Sequence, residues 1–175
     1  MSAWRWRKAA TKTKKPRTER QRAMDRADVW MSKYIRLRDA DENGYCRCIT
    51  CGKIMFWQDG HKCQNGHYIG RESMNTRFDE MNCHAQCFDC NCNHQGYQRD
   101  YEQALIKIYG EKAVEQLNCR GHLLRKFEVF ELKAIADYYR KRFNELTKIK
   151  TPFSPNSASI RATLSLSKKL TSNEK

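Results

Sequence analysis

Cys48-Ile-Thr-Cys51-Gly52, then Gly66-His67-Tyr68, then Arg77-Phe-Asp-Glu-Met-Asn82-Cys-His84-Ala-Gln86-Cys87-Phe-Asp-Cys90-Asn91, occupy the middle of a 175-residue chain. Two CxxC pairs thus bracket a histidine. Each pair offers two thiolates from a tight turn, and two such turns complete the tetrahedral shell of a structural zinc, which keeps no open position for chemistry. The zinc would build the site without running it. Between and beside the pairs stand one candidate general base and the amide and carboxylate oxygens that a hard divalent cation takes. That set points to metal-assisted attack of water on a phosphodiester.

His67 is the candidate base, because a neutral imidazole near physiological pH can take the proton of an attacking water. It lies between the two pairs, and His61, in the run Asp59-Gly60-His61, is the alternative. Asn91 follows Cys90 directly and is read either as a ligand of Mg2+ or Mn2+ or as a helix N-cap. His94, three residues on, shares its helical face and is read as a second metal ligand or a surface histidine. Asp79 and Glu80 are read as metal ligands or as partners of Arg77 or Arg71. Of the remaining cysteines, Cys83 and Cys119 are expected to be free thiols. Cys46, Cys63 and Cys92 are read as free thiols too, with additional zinc ligation as the alternative.

The net charge of +14 and pI near 9.5 make a polyanion the expected partner. The charge is unevenly placed: +7 in residues 1–20, none in 21–43 or 44–96, +4 in 97–150 and +3 in 151–175. The module holding the motif is neutral, so backbone attraction is assigned to the flanks. In the first of these, Arg5, Arg7, Lys8, Lys12, Lys14 and Lys15 surround Trp4 and Trp6, aromatics able to stack on bases. In the last long helix Arg140 and Lys141, with Lys133 and Arg142, are placed to face DNA. No stretch approaches the roughly 18 apolar residues of a membrane span, and no hydrophobic run follows the basic N-terminus, so the protein is expected inside the cell. Nine cysteines, an odd number, arranged as CxxC pairs suit zinc thiolates in a reducing compartment better than disulfides.

Residues 1–20 carry no hydrophobic period and read as a disordered basic arm, and the Ser-rich residues 151–175 as a disordered tail. A single domain is expected over 21–150, with its zinc core at 45–96. Ala27, Trp30, Met31, Tyr34 and Leu37 predict an amphipathic helix over about 18–40, broken at Asn43-Gly44. Short glycine-punctuated runs then predict zinc-tied hairpins over 45–83. Tyr97, Tyr101, Leu105 and Ile108 predict a helix capped at Gly110, Ala113, Val114 and Leu117 a short helix after it, and Leu132, Ile135, Tyr139, Phe143 and Leu146 a long one from about 125 to 148.

The quoted runs, continuing through Tyr101-Glu-Gln-Ala-Leu and Glu111-Lys-Ala-Val to Lys133-Ala-Ile, resemble the NinG (Rap) recombination proteins of lambdoid phages over about residues 28–148. The resemblance implies an α+β fold: a zinc-bound HNH-type ββα finger flanked by helices. It implies a structure-selective endonuclease, phage or prophage encoded, cutting branched intermediates such as Holliday junctions and D-loops. By position, His67 matches the base at the end of the finger's first strand and Asn82 the central Asn that hydrogen-bonds across the finger. Asn91 matches a ligand of the catalytic Mg2+ or Mn2+, and Cys48, Cys51, Cys87 and Cys90 match the shell of the Zn2+. Related fingers often carry an Asp or His just before the base, where this chain has Gly66. The Cys51–His67 loop is longer, which keeps His61 and Asp59 open as site residues. A less selective HNH nicking or restriction nuclease and a non-catalytic zinc-dependent DNA-binding accessory protein are the alternatives. Symmetric cutting of a junction would suit a homodimer.

Overall fold

The computed structural model describes residues 16–93 and 97–150. The basic arm up to Lys15, His94 and the tail from 151 lie outside the described residues. The elements are α1 (Glu19–Arg38), β1 (Tyr45–Arg47), β2 (Ile54–Phe56), β3 (Cys63–His67), β4 (Cys83–Cys87), α2 (Gln98–Tyr109), α3 (Glu111–Gly121) and α4 (Val129–Lys150). A 3-10 turn at Glu80–Asn82 leads into β4, and a π-helical turn at Asp89–Asn93 follows it. The architecture is α+β, with two antiparallel two-stranded sheets, β1–β2 and β3–β4.

Helix α1 starts at a capping box: the Thr18 hydroxyl accepts from the Gln21 amide at 3.2 Å and the Gln21 side chain accepts from the Thr18 amide at 2.9 Å. Its end is closed by Lys150, whose Nζ donates to the carbonyls of Leu37, Arg38 and Ala40, satisfying acceptors that a helix terminus leaves open. The cross-helix pairs Glu19–Lys133, Arg26–Asp137 and Tyr34–Arg142 climb in register with Leu37–Lys150. Helices α1 and α4 therefore lie side by side and run in the same direction. The two predicted stripes meet in this seam. Met31, Tyr34 and Ile35 from α1 and Tyr139 from α4 are buried together, with Trp30, Phe143 and Leu146 packed around them. The α4 helix begins later than expected, at Val129, because Phe127 first turns inward against Ala23 and Leu132.

The β3–β4 hairpin sits between α1 and α2. On one side Cys83 of β4 joins the α1–α4 core. On the other Tyr68, Tyr101, Leu105, Val114 and Leu117 form the cluster that fixes α2 and α3. Gly110, at φ +86°, ends α2 with its N–H on the Ile106 carbonyl at 2.8 Å and starts α3 directly. The predicted α2 stripe is half right. Tyr101 and Leu105 are fully buried, whereas Tyr97 and Ile108 are exposed, because a two-turn contact with the hairpin needs only the middle of the helix. Among the described residues no helix is long and apolar enough to cross a membrane.

Candidate functional site

Cys48 and Cys51 flank the turn between β1 and β2; Cys87 ends β4 and Cys90 lies in the π-helical turn behind it. The turn after β1 is closed by Cys48 N–H to the Lys53 carbonyl at 2.8 Å and by Gly52 N–H to the Cys48 carbonyl at 2.9 Å, with Gly52 at φ +76°. That left-handed position is where glycine carries no steric cost. The four sulfurs lie within 4.8 Å of one another, Cys51 Sγ and Cys87 Sγ at 3.7 Å. A tetrahedron of Zn–S bonds about 2.3 Å long has edges of about 3.8 Å, so the thiols fit a zinc ion. Backbone N–H groups point at two of them: Cys87 N–H at Cys48 Sγ (3.3 Å) and Cys90 N–H at Cys87 Sγ (3.5 Å). Such donors favour thiolate. Among the described residues this is the one cluster of its kind. Cys46, Cys63 and Cys83 are buried as free thiols; Cys92 and Cys119 are exposed.

His67 is the last residue of β3, opposite Cys83. Strand alternation puts Asn65 on its face and Gly66 on the other. The His67 Nε2 lies 3.0 Å from the Arg77 carbonyl. A carbonyl only accepts, so Nε2 carries the proton and Nδ1 holds the lone pair. Burial, and after it the Arg71 cation, holds the imidazole down at about 4, leaving it neutral at physiological pH. Asn82, fully buried, pins the segment that follows: its Oδ1 accepts from Ile69 N–H at 2.7 Å, and its Nδ2 donates to the carbonyls of Ile69 (2.9 Å) and Thr76 (3.0 Å).

His67, Asn65, Gln64 and Asn91 line one polar cavity of about 560 Å³ with Arg36 and Arg71. Asn91 sits within the π-helical turn instead of capping a helix; its Nδ2 donates to Gln64 Oε1 at 2.6 Å, leaving Oδ1 free to accept. Asn65 is 4% exposed, and its Oδ1 has no partner. An unpaired buried amide oxygen costs on the order of 1–3 kcal/mol and asks for a ligand or water. His61 is elsewhere: exposed, its ring 5.2 Å from Phe88, in a turn tied by Asp59. Nor do Asp79 and Glu80 reach the cavity. Asp79 pairs with Arg120 at 2.9 Å, and Glu80 accepts from the Tyr34 hydroxyl at 2.9 Å, while Arg77 takes Asp28 as its partner.

The position before His67 has no room for a side chain. A Cβ on Gly66 would stand 2.2 Å from Gln86 Oε1 and 2.8 Å from Gln86 Cβ. Gln86, fully buried, is held by its Nε2 on Thr50 Oγ1 at 2.7 Å. Arg140 and Lys141 are exposed on α4, Arg140 sharing Asp137 with Arg26. Arg142 is spent within the fold, on the Tyr34 hydroxyl at 2.6 Å and against Glu80. Sequence reasoning passed over Asn65 and Arg36 and took Arg71 only as an ion-pair partner of Asp79 or Glu80. The period of two from His67 marks Asn65, whereas Arg36 comes from α1 and no local pattern links it to β3.

A family model described as Bacteriophage Lambda NinG protein matches residues 1–150. The chain belongs to the NinG family. Protein ninG of Escherichia phage 933W is 31% identical to it over 115 residues, 65% of this chain and 52% of that protein. Protein ninG of Escherichia phage lambda is 30% identical and that of Salmonella phage P22 31%, over the same shares. This NinG-family chain therefore spans about half the length of the curated relatives it matches. No solved structure matches it.

Proposed function

We propose that this NinG-family chain is a metal-dependent DNA endonuclease that hydrolyses a phosphodiester beside His67, with branched recombination intermediates as its substrates. One observation carries the reading: a neutral, half-buried imidazole, fixed through Nε2 on the Arg77 carbonyl, lines a polar cavity with Asn65 and Asn91. A general base needs a lone pair at working pH and a fixed orientation, and His67 has both. It takes the proton of the attacking water at Nδ1 and is held by the Asn82-pinned loop while it does so. Bound Mg2+ or Mn2+ would acidify that water and offset charge on the phosphate oxygens. The amide oxygens of Asn65 and Asn91 are of the type that would hold such an ion. Among the described residues no carboxylate lines the cavity, so phosphate oxygens and water would complete the shell. The zinc shell is structural in this reading, since four thiolates fill it.

The preference for branched DNA rests on the resemblance to the NinG (Rap) proteins. Backbone attraction would come from Arg140 and Lys141, exposed on α4, and from the net charge of +7 in residues 1–20. The crowded Gly66 position favours a second reading, a zinc-dependent DNA-binding accessory protein without catalysis, because no ligand can stand beside the base. Purified zinc-loaded protein on matched junction, D-loop, flap and linear duplexes, with Mg2+ or Mn2+, decides between them. Junction cleavage lost in His67→Ala supports the nuclease. Equal cutting of linear duplex makes it a general nicking enzyme, and binding without cutting under either metal leaves the accessory role.

A further inference from the structure

Among the described residues, two cations and no acid line the cavity beside His67. Arg36 reaches in from α1, its Nε on the Ser32 carbonyl at 3.2 Å and its Nη1 on the Trp57 carbonyl at 2.9 Å. Both partners are neutral, so the guanidinium is oriented without being neutralised, and Nη2 has no partner among the described residues. Arg71, exposed and lining the same cavity, makes no side-chain hydrogen bond or ion pair among the described residues. The neighbouring Arg77 does not add to the field, because Asp28 pairs with it in a two-bond fork. Glu72 folds its carboxylate over Gly70 without pairing with either free arginine. Arg36 from α1 and Arg71 from the segment after β3 thus bring uncompensated positive charge to one cavity.

We propose that Arg36 and Arg71 form a seat for one phosphodiester anion of the DNA, and that this seat fills before any divalent cation arrives. The proposal rests on the nuclease reading for its substrate and deepens it. A half-buried guanidinium held by carbonyls repels a free cation and attracts a phosphate, to which its fork is matched. The cation then comes with, or after, the negative charge that makes the site tolerable for it. Asn65 Oδ1, an acceptor, is unsuited to a phosphate oxygen and serves the water or the ion instead. Arg36 and Arg71 are binding residues for the ground state and for the charge that builds on the phosphate during attack.

The test is DNA binding by the full-length, zinc-loaded protein without Mg2+ or Mn2+, followed by fluorescence anisotropy across a salt series. Arg71→Gln is the decisive variant, since that side chain holds nothing in the fold; Arg36→Gln is checked first for zinc content and circular dichroism. Each is expected to weaken binding about 5- to 10-fold near 0.1 M salt and to flatten the log–log salt slope by about 0.9, one phosphate contact. Glu72→Gln is expected to tighten binding. A wild-type slope and affinity in Arg71→Gln would overturn the proposal, as would weakening seen only once Mg2+ is added. The nuclease reading is scored separately: slopes that flatten in a protein that never cuts keep the seat and end the nuclease, and cutting with unchanged slopes does the reverse.

Discussion

The imidazole Nε2 of His67 and the backbone carbonyl of Arg77, 3.0 Å apart, fix which nitrogen of the ring is basic. Because the ring is half-buried beside the Arg71 cation and held at about 4, it stays unprotonated far below the usual histidine range. Cleavage, measured as kcat/KM, is therefore expected to stay level from neutral pH down to about 5 and to fall as His67 takes its proton near 4. Arg71→Gln removes part of what depresses the ring and should move this acid limb upward. His67→Ala should lose about 10²- to 10⁴-fold in turnover with DNA affinity retained, and His61→Ala should cut like wild type. An acid limb near 6.5 in wild type would mean that the titrating base is another group.

Gly66 is required by Gln86, not by its own backbone angles. Gly66→Ala, and more so Gly66→Asp, is expected to destabilise the fold by about 1–3 kcal/mol, the usual cost of forcing atoms into a filled site, without creating a useful ligand. The cause can be isolated with Gln86→Gly, which removes every Gln86 side-chain atom a Cβ would meet. In urea titrations the double variant should be less destabilised than the sum of the singles, a coupling of 0.5 kcal/mol or more as expected for touching residues. Strict additivity would place the strain elsewhere.

Much of this was legible because local patterns set it. The stripe of Ala27, Met31, Tyr34 and Leu37 marks α1, Gly110 marks the α2–α3 break, and the two CxxC turns converge as their spacing implies. What was not legible is set by pairing between distant segments. That α1 and α4 run in the same direction follows from Lys150 meeting the end of α1, over a hundred residues earlier in the chain. Asn91 reads as a cap from its place after Cys90, yet the chain takes a π-helical turn there, with Asn91 on Gln64 of β3. Arg142 looks like a DNA-facing cation in the sequence and is drawn inward by Tyr34 and Glu80.

The zinc shell should hold far more than its four ligands. Its sulfurs tie the β1–β2 turn to the end of β4, and Cys48, Cys87 and Cys90 are themselves part of the small core with Cys46, Met55, Cys63 and Ala85. With so little apolar mass, this region depends on the metal for its fold. One zinc per chain is expected by elemental analysis. Chelation should open residues 45–93 to hydrogen exchange, whereas the α1–α4 seam, packed by Tyr34, Tyr139 and Phe143, stays protected longer. Cys51→Ser should reproduce the chelated state and Cys119→Ser should not. Unchanged exchange in 45–93 after complete zinc removal would show that the thiols pack without needing the ion.

His84 gives the fold an acid weakness separate from catalysis. It stands opposite Gly66 on β4, 6% exposed, with Nε2 3.0 Å from the Tyr109 hydroxyl and Nδ1 3.4 Å from that of Tyr101. The Tyr101 hydroxyl donates to the Gly66 carbonyl, so the tautomer with the proton on Nδ1 completes the chain and Nε2 accepts from Tyr109. Burial holds this imidazole at about 4, as it does His67. Both rings have lower values folded than unfolded, so their stabilising effect is complete above about 6.5 and is lost as pH falls toward 4, where the unfolded chain binds the protons the fold refuses. The loss is on the order of 2–3 kcal/mol per ring. Urea midpoints at pH 7 and pH 5, with zinc kept saturating, should drop less in His84→Gln than in wild type. Equal drops in the two proteins would take His84 out of the acid weakness and leave it to His67 and the zinc thiolates.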